Sequence, residues 1–216
     1  MGIRKAWGSD IKETANYDPV QQEIRAAGKL SDSLVALVAG RQVTVRDYRD
    51  PVIMAYWSMV FDYVNGTHCL LANGFYSSAA ALMRPMVDAV VYAGRARVGT
   101  DQDVDRIMAG KYKISYEKDG QDIDKALGSG KLFETMLKQN RDVLHSMTHS
   151  RKAQLTRHAS QGEIGQNFTA KEIIGIASFS AGLAFLITIV VGSHLHLRDI
   201  GESANRLYSE YGKLKP

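Results

Sequence analysis

From Ile173 to Ser193 the chain carries no charged side chain, and a run of that kind has few places to go. It is long enough to cross a bilayer. Yet Gly175, Ser178, Ser180, Gly182, Thr188 and Gly192 interrupt it, and the chain as a whole has a mean hydropathy of −0.20. A helix apolar on every side otherwise belongs at the centre of a bundle. The sequence therefore predicts a buried core helix, with a membrane-associated protein as the alternative. Thr169-Ala-Lys-Glu172 opens that helix as a capping box, the threonine serving the amide three residues on and the glutamate reaching back. His194, His196 and Arg198 form a polar exit, and the tail to Pro216 reads as a polar amphipathic helix.

The remaining segments are read as further helices around this one. Residues 1–17 form a polar leader, and 18–216 a single helical domain with its core in 50–195; 216 residues suffice for one domain with a sizeable core. Asp18-Pro19 starts a first helix, since aspartate caps free amides and proline is tolerated at the first helical position. A break is expected near Gly28, and the helical pattern resumes to Gly40. Asp50-Pro51 repeats the start signal for a helix from Val52 to Ala72, which Asn65-Gly66 threatens to divide and Asn73-Gly74 stops. A helix is expected from Phe75 to Arg97; between Phe75 and Gly94 its only charges are Arg84 and Asp88, and Pro85 predicts a kink or a late start. Thr100 caps a short helix to Tyr112, whereas the charged span Glu117–Ser129 reads as an exposed connection. Ser129 or Gly130 then opens a helix with Phe133, Leu137, Leu144 and Met147 as its apolar stripe. The fold class is all-α, a bundle of five to seven helices.

With 45% hydrophobic and 23% charged residues, the composition is that of a globular protein. A net charge of +4 is compatible with nucleic acid without demanding it. The single cysteine, Cys69, excludes an internal disulfide, and its apolar helical context predicts an inert core thiol. No apolar run follows the first charges, so no signal peptide is expected and the cytoplasm is the default location.

Chemistry concentrates in His145-Ser-Met-Thr-His149-Ser-Arg151-Lys152-Ala-Gln-Leu-Thr-Arg157-His158, which holds three of the six histidines and no carboxylate. Just upstream, Arg141, His145 and His149 follow one another at intervals of four, on one helical face. Imidazole changes charge near neutral pH, and guanidinium clamps phosphate with paired hydrogen bonds. Metal-free RNA cleavage needs a base for the 2′-hydroxyl, an acid for the leaving oxygen and a cation on the phosphorane, and histidine with arginine supplies all three. His149 and His145, with Arg141 and Arg84, are the candidate catalytic residues; Arg151, Lys152, Arg157 and His158 are the candidate substrate contacts. A two-fold would let so short a motif assemble twice, so a homodimer is expected. His145/His149 and His194/His196 each offer two nitrogens but no third ligand, so no metal or other cofactor is expected. Arg84 and Asp88, one turn apart, read first as a self-contained ion pair and second as an arginine on the floor of a cleft.

The order of features resembles the helical HEPN superfamily and the bacterial helical families distantly similar to it, over roughly residues 50–195. The likeness rests on Gly74-Phe-Tyr-Ser-Ser-Ala-Ala-Ala-Leu-Met-Arg84-Pro-Met-Val-Asp88, on Leu144-His145-Ser-Met-Thr-His149-Ser, and on an apolar last core helix. Asp88 stands where glutamate is more usual. Arg151 to His158 has the arginine-to-histidine spacing of HEPN ribonucleases with Lys152 in the polar position, while Arg141 to His145 is one residue short. The resemblance implies a dimeric protein that binds or cleaves RNA without metal, of the toxin or phage-defence kind. A non-catalytic helical module docking a protein partner or nucleic acid is the second reading.

Overall fold

The structure is a computed structural model that describes residues 17–41, 44–138, 159–160, 163–164 and 168–214. Those residues form eight helices: α1 (Tyr17–Val38), α2 (Arg49–Ala72), α3 (Tyr76–Val98), α4 (Asp101–Met108), α5 (Tyr116–Leu127), α6 (132–138), α7 (Ala170–His194) and α8 (Arg198–Lys213). One two-residue antiparallel pairing, β1 (Ala159–Ser160) with β2 (Glu163–Ile164), accompanies them. The protein is all-α.

The apolar run behaves as a core helix. α7 packs against α1, α2, α3 and α8, and Leu183, Ile187, Val190 and Val191 have no exposed surface. It is the one described helix long and apolar enough to cross a membrane, and 67% of its most apolar window is buried among the other helices. Its Thr169–Glu172 capping box forms as the sequence predicts. At the other end Leu197 N–H reaches back to Gly192 O at 2.9 Å. The residue between the last turn and Leu197, His196, takes a left-handed φ of 58° that more often falls to glycine. α8 buries Ile200, Ala204 and Tyr211, the amphipathic pattern expected of the tail.

α2 and α3 form an antiparallel hairpin around Asn73-Gly74. Gly74, at φ +78°, lets Phe75 N–H bond Leu70 O and its own N–H bond Leu71 O, so the stop read from the sequence holds. Several other expectations change. α1 runs unbroken through Gly28 and α2 through Asn65-Gly66. Both glycines face a neighbour: a Cβ on Gly28 would lie 3.9 Å from His68 Nδ1, and one on Gly66 3.3 Å from Leu82 Cδ1. Tertiary packing thus overrides weak helix propensity. Pro85 lies inside α3 rather than at its start. Cys69 is exposed, not a core thiol.

The helix count exceeds the expected five to seven because residues 116–127, read as an exposed connection, form α5. Its inward face is partly made of carboxylates, which look like solvent-facing residues in the sequence. Asp119 and Asp124 are 2% and 3% exposed, beside the fully buried Ile123. Asp124 accepts the Phe133 and Glu134 amides at 3.0 and 2.9 Å and the Ser129 hydroxyl at 2.6 Å. A side chain from α5 therefore caps α6, satisfying amides that a helix start leaves free. Phe133 and Leu137 are buried as predicted.

Candidate functional site

Of the candidate residues, Arg84 lies within the described structure. Arg141, His145, His149, Arg151, Lys152, Arg157 and His158 lie outside the described residues, as does the 1–16 part of the polar leader. Arg141, Arg151, Lys152 and Arg157, against Asp142 alone, account for three of the four net positive charges of the chain.

Around Arg84 the geometry is specific. Its Nε donates to both oxygens of Asp88 at 3.0 Å, the i,i+4 pair that the sequence suggested. The Tyr116 ring lies under the guanidinium, 4.8 Å from its carbon, and the Tyr116 hydroxyl donates to Asp88 Oδ1 at 2.8 Å. Burial first, and the Asp88 hydrogen bond second, push the Tyr116 hydroxyl well above the usual phenol pKa, so it stays a donor. One edge and one face of Arg84 are thereby fixed. Its two terminal nitrogens make no hydrogen bond to any described residue, and about a quarter of the side chain remains exposed. A guanidinium held this way keeps a two-pronged donor edge for an oxyanion.

The position of α6 is fixed by α5. Gln121 Nε2 donates to Glu134 Oε1 at 3.0 Å, and a Cβ on Gly120 would lie 2.9 Å from Glu134 Cα and 3.3 Å from Leu137 Cδ1. Asp124 meets residues 133 and 134, so numbers rise along α6 as they fall along α5. The two helices are antiparallel, and the last described turn of α6 points to the Tyr116 end of α5.

Two further polar centres escaped the sequence reading. Arg95, 8% exposed, bonds Asp122 at 2.8 Å and Asp103 at 2.9 Å and lies 3.5 Å from Asp119. Burial opposes its charge, but Tyr112 and the three carboxylates outweigh burial and hold its pKa above the usual value. This arginine joins α3, α4 and α5 and lines a cleft of about 460 Å³ beside Gly99 and Thr100. The second centre pairs Asp50, 1% exposed, with His194 Nε2 at 2.5 Å. Asp50 also accepts the Arg46 amide at 2.7 Å. Burial alone would raise the Asp50 pKa, yet the Arg46 amide, His194 and the Arg46 guanidinium together lower it. Asp50 was read as a helix start and His194 as part of a polar helix exit. They meet across 144 positions of sequence, which no local pattern signals.

No three His, Cys, Asp or Glu side chains among the described residues group as metal ligands would. Compared with family models, curated proteins and solved structures, the chain finds no match, so what is established is an all-helical protein with a presented arginine on α3.

Proposed function

We propose that the chain is a HEPN-like, RNA-binding helical protein of the cytoplasm, working as a homodimer. The observation that carries this reading is the Arg84 side chain, whose Nε and flat face are fixed by Asp88 and Tyr116 while its terminal nitrogens stay unclaimed. Phosphate is the oxyanion whose geometry such an edge fits. The sequence that follows α6 holds most of the net charge, which supports the same reading. In this reading His149 and His145 exchange protons at the phosphodiester. Arg84, Arg141 and Arg151 hold the phosphate, and Lys152, Arg157 and His158 extend the contact along the strand.

The test is incubation of the purified chain with single-stranded RNA in EDTA, beside His149→Ala. Cleavage by the wild type that is lost in His149→Ala supports a metal-independent ribonuclease. Binding without cleavage supports the non-catalytic module. RNA left intact and unbound by both proteins overturns the reading.

A further inference from the structure

Arg97 stands apart from the other shielded arginines. Arg49, Arg84 and Arg95 are each screened from solvent, and each has a carboxylate within 4.0 Å. Arg97 is the one described arginine that is half-buried with no such partner. Its Nη2 donates to the neutral Ser193 hydroxyl at 2.8 Å, and its buried Nε has no hydrogen-bond acceptor. Burial lowers its pKa, with no opposing charge to restore it. A cation taken out of water without an anion is costly, and no described carboxylate lies within 4.0 Å of Arg97.

The helix ends nearby do not fill that role. The closing carbonyls of α3 and α7 carry only fractional charge, and they are already engaged: Arg49 takes Ala96 O, Gly99 N–H takes Arg95 O, and Arg46 Nη2 takes His194 O at 2.9 Å. Asp50 is sealed from solvent and occupied by His194, by the Arg46 amide and, at 3.7 Å, by Arg46 Nε, which leaves the outer nitrogens of Arg46 for another partner. Arg46 is nonetheless informative. It bonds His194 while Arg97 bonds Ser193, so two guanidiniums attach to consecutive residues at one helix end. Arg46 is 45% exposed, and its Nη1, like that of Arg97, has no hydrogen-bond partner among the described residues.

We propose that Arg97 and Arg46 together bind a phosphate-class oxyanion beside Ser193, at the end of the bundle where α2 begins and α3 and α7 finish. This site is independent of the RNA reading. Arg97 lies thirteen positions beyond Arg84 on α3, about 20 Å along the helix axis.

The experiment measures calorimetric binding and thermal melting of the full chain in buffer free of oxyanions. Inorganic phosphate and adenosine 5′-monophosphate are added separately, with sodium chloride at matched ionic strength as control. Phosphate, the monophosphate or both bind the wild type and raise its melting temperature beyond the chloride control. The tighter of the two identifies the source of the oxyanion as the free ion or a phosphate monoester. Arg97→Gln binds at least about tenfold more weakly, the loss of a charged hydrogen bond, whereas Arg25→Gln, at an exposed position of α1, binds as the wild type does. In oxyanion-free buffer, Arg97→Met melts no lower than the wild type, because a shielded charge without a counter-ion has been removed. Neither anion outperforming chloride, Arg97→Gln binding unchanged, Arg25→Gln abolishing binding, or Arg97→Met melting well below the wild type in the oxyanion-free buffer would each overturn the proposal.

Discussion

Arg84 and Asp88 share a hydrogen bond in which one Nε serves both carboxylate oxygens at 3.0 Å. The pairing occupies the inner edge of the guanidinium and leaves the outer fork unclaimed. The ion pair and the presented arginine, set against each other as readings of the sequence, are therefore compatible. Asp88 holds the side chain in place, and Tyr116 on α5 sets its plane. α5 also docks α6, so the same helix positions Arg84 and α6.

Removing the cap on α6 tests that link. Asp124→Ala strips the acceptor from the Phe133 and Glu134 amides in a buried setting. It should lower stability by about 2 kcal/mol in urea denaturation. Asp124→Asn, which keeps one carbonyl acceptor, should recover part of that loss. RNA binding by Asp124→Ala should fall more than the global loss of stability explains, since α6 is the element released.

Acid should weaken the fold through His68. Burial between the helices pushes its pKa down to about 4, only slightly opposed by Asp32, and its Nε2 meets Ser180 Oγ at 3.1 Å. The Ser180 hydroxyl already donates to Ala177 O, so His68 is the neutral donor in that contact. The unfolded chain takes up a proton near pH 6.5 and the folded chain does so only near 4. Stability from the neutral ring is thus complete above about pH 6.5, declines as pH falls, and levels off below about 4, a loss of about 3 kcal/mol. Unfolding measured from about pH 7.5 to about pH 4 should show this slope in the wild type and lose it in His68→Gln.

Much of the architecture was legible because it follows from local rules. Thr100 and Thr169 announce their helices, and both capping boxes form. Asn73-Gly74 ends α2, and the uncharged run from Ile173 makes the core helix. What stayed hidden depends on partners distant in sequence. α5 looks polar until Arg95, Tyr112 and the α6 amides are placed against Asp119 and Asp124. Gly28 and Gly66 read as breaks until the facing helix accounts for them. At the candidate site, the Arg84–Asp88 pair was visible as an i,i+4 spacing, but the Tyr116 ring beneath it was not. Asp50 with His194, and Arg97 with Ser193, needed the fold itself.

The core role of α7 has a direct consequence in the cell. A helix whose apolar window is mostly buried against α1, α2, α3 and α8 has little left for lipid. The chain should be recovered in the detergent-free soluble fraction after lysis and ultracentrifugation. Recovery only in detergent would instead assign this helix to the membrane.

The most direct test of the central claim, that Arg84 offers its outer edge to an RNA phosphate, is the salt dependence of single-stranded RNA binding by wild type and Arg84→Gln. Loss of one phosphate contact should weaken binding and make the slope of log K against log salt shallower by about 0.7. Identical affinity and identical slope in the two proteins, with both folded, would contradict it.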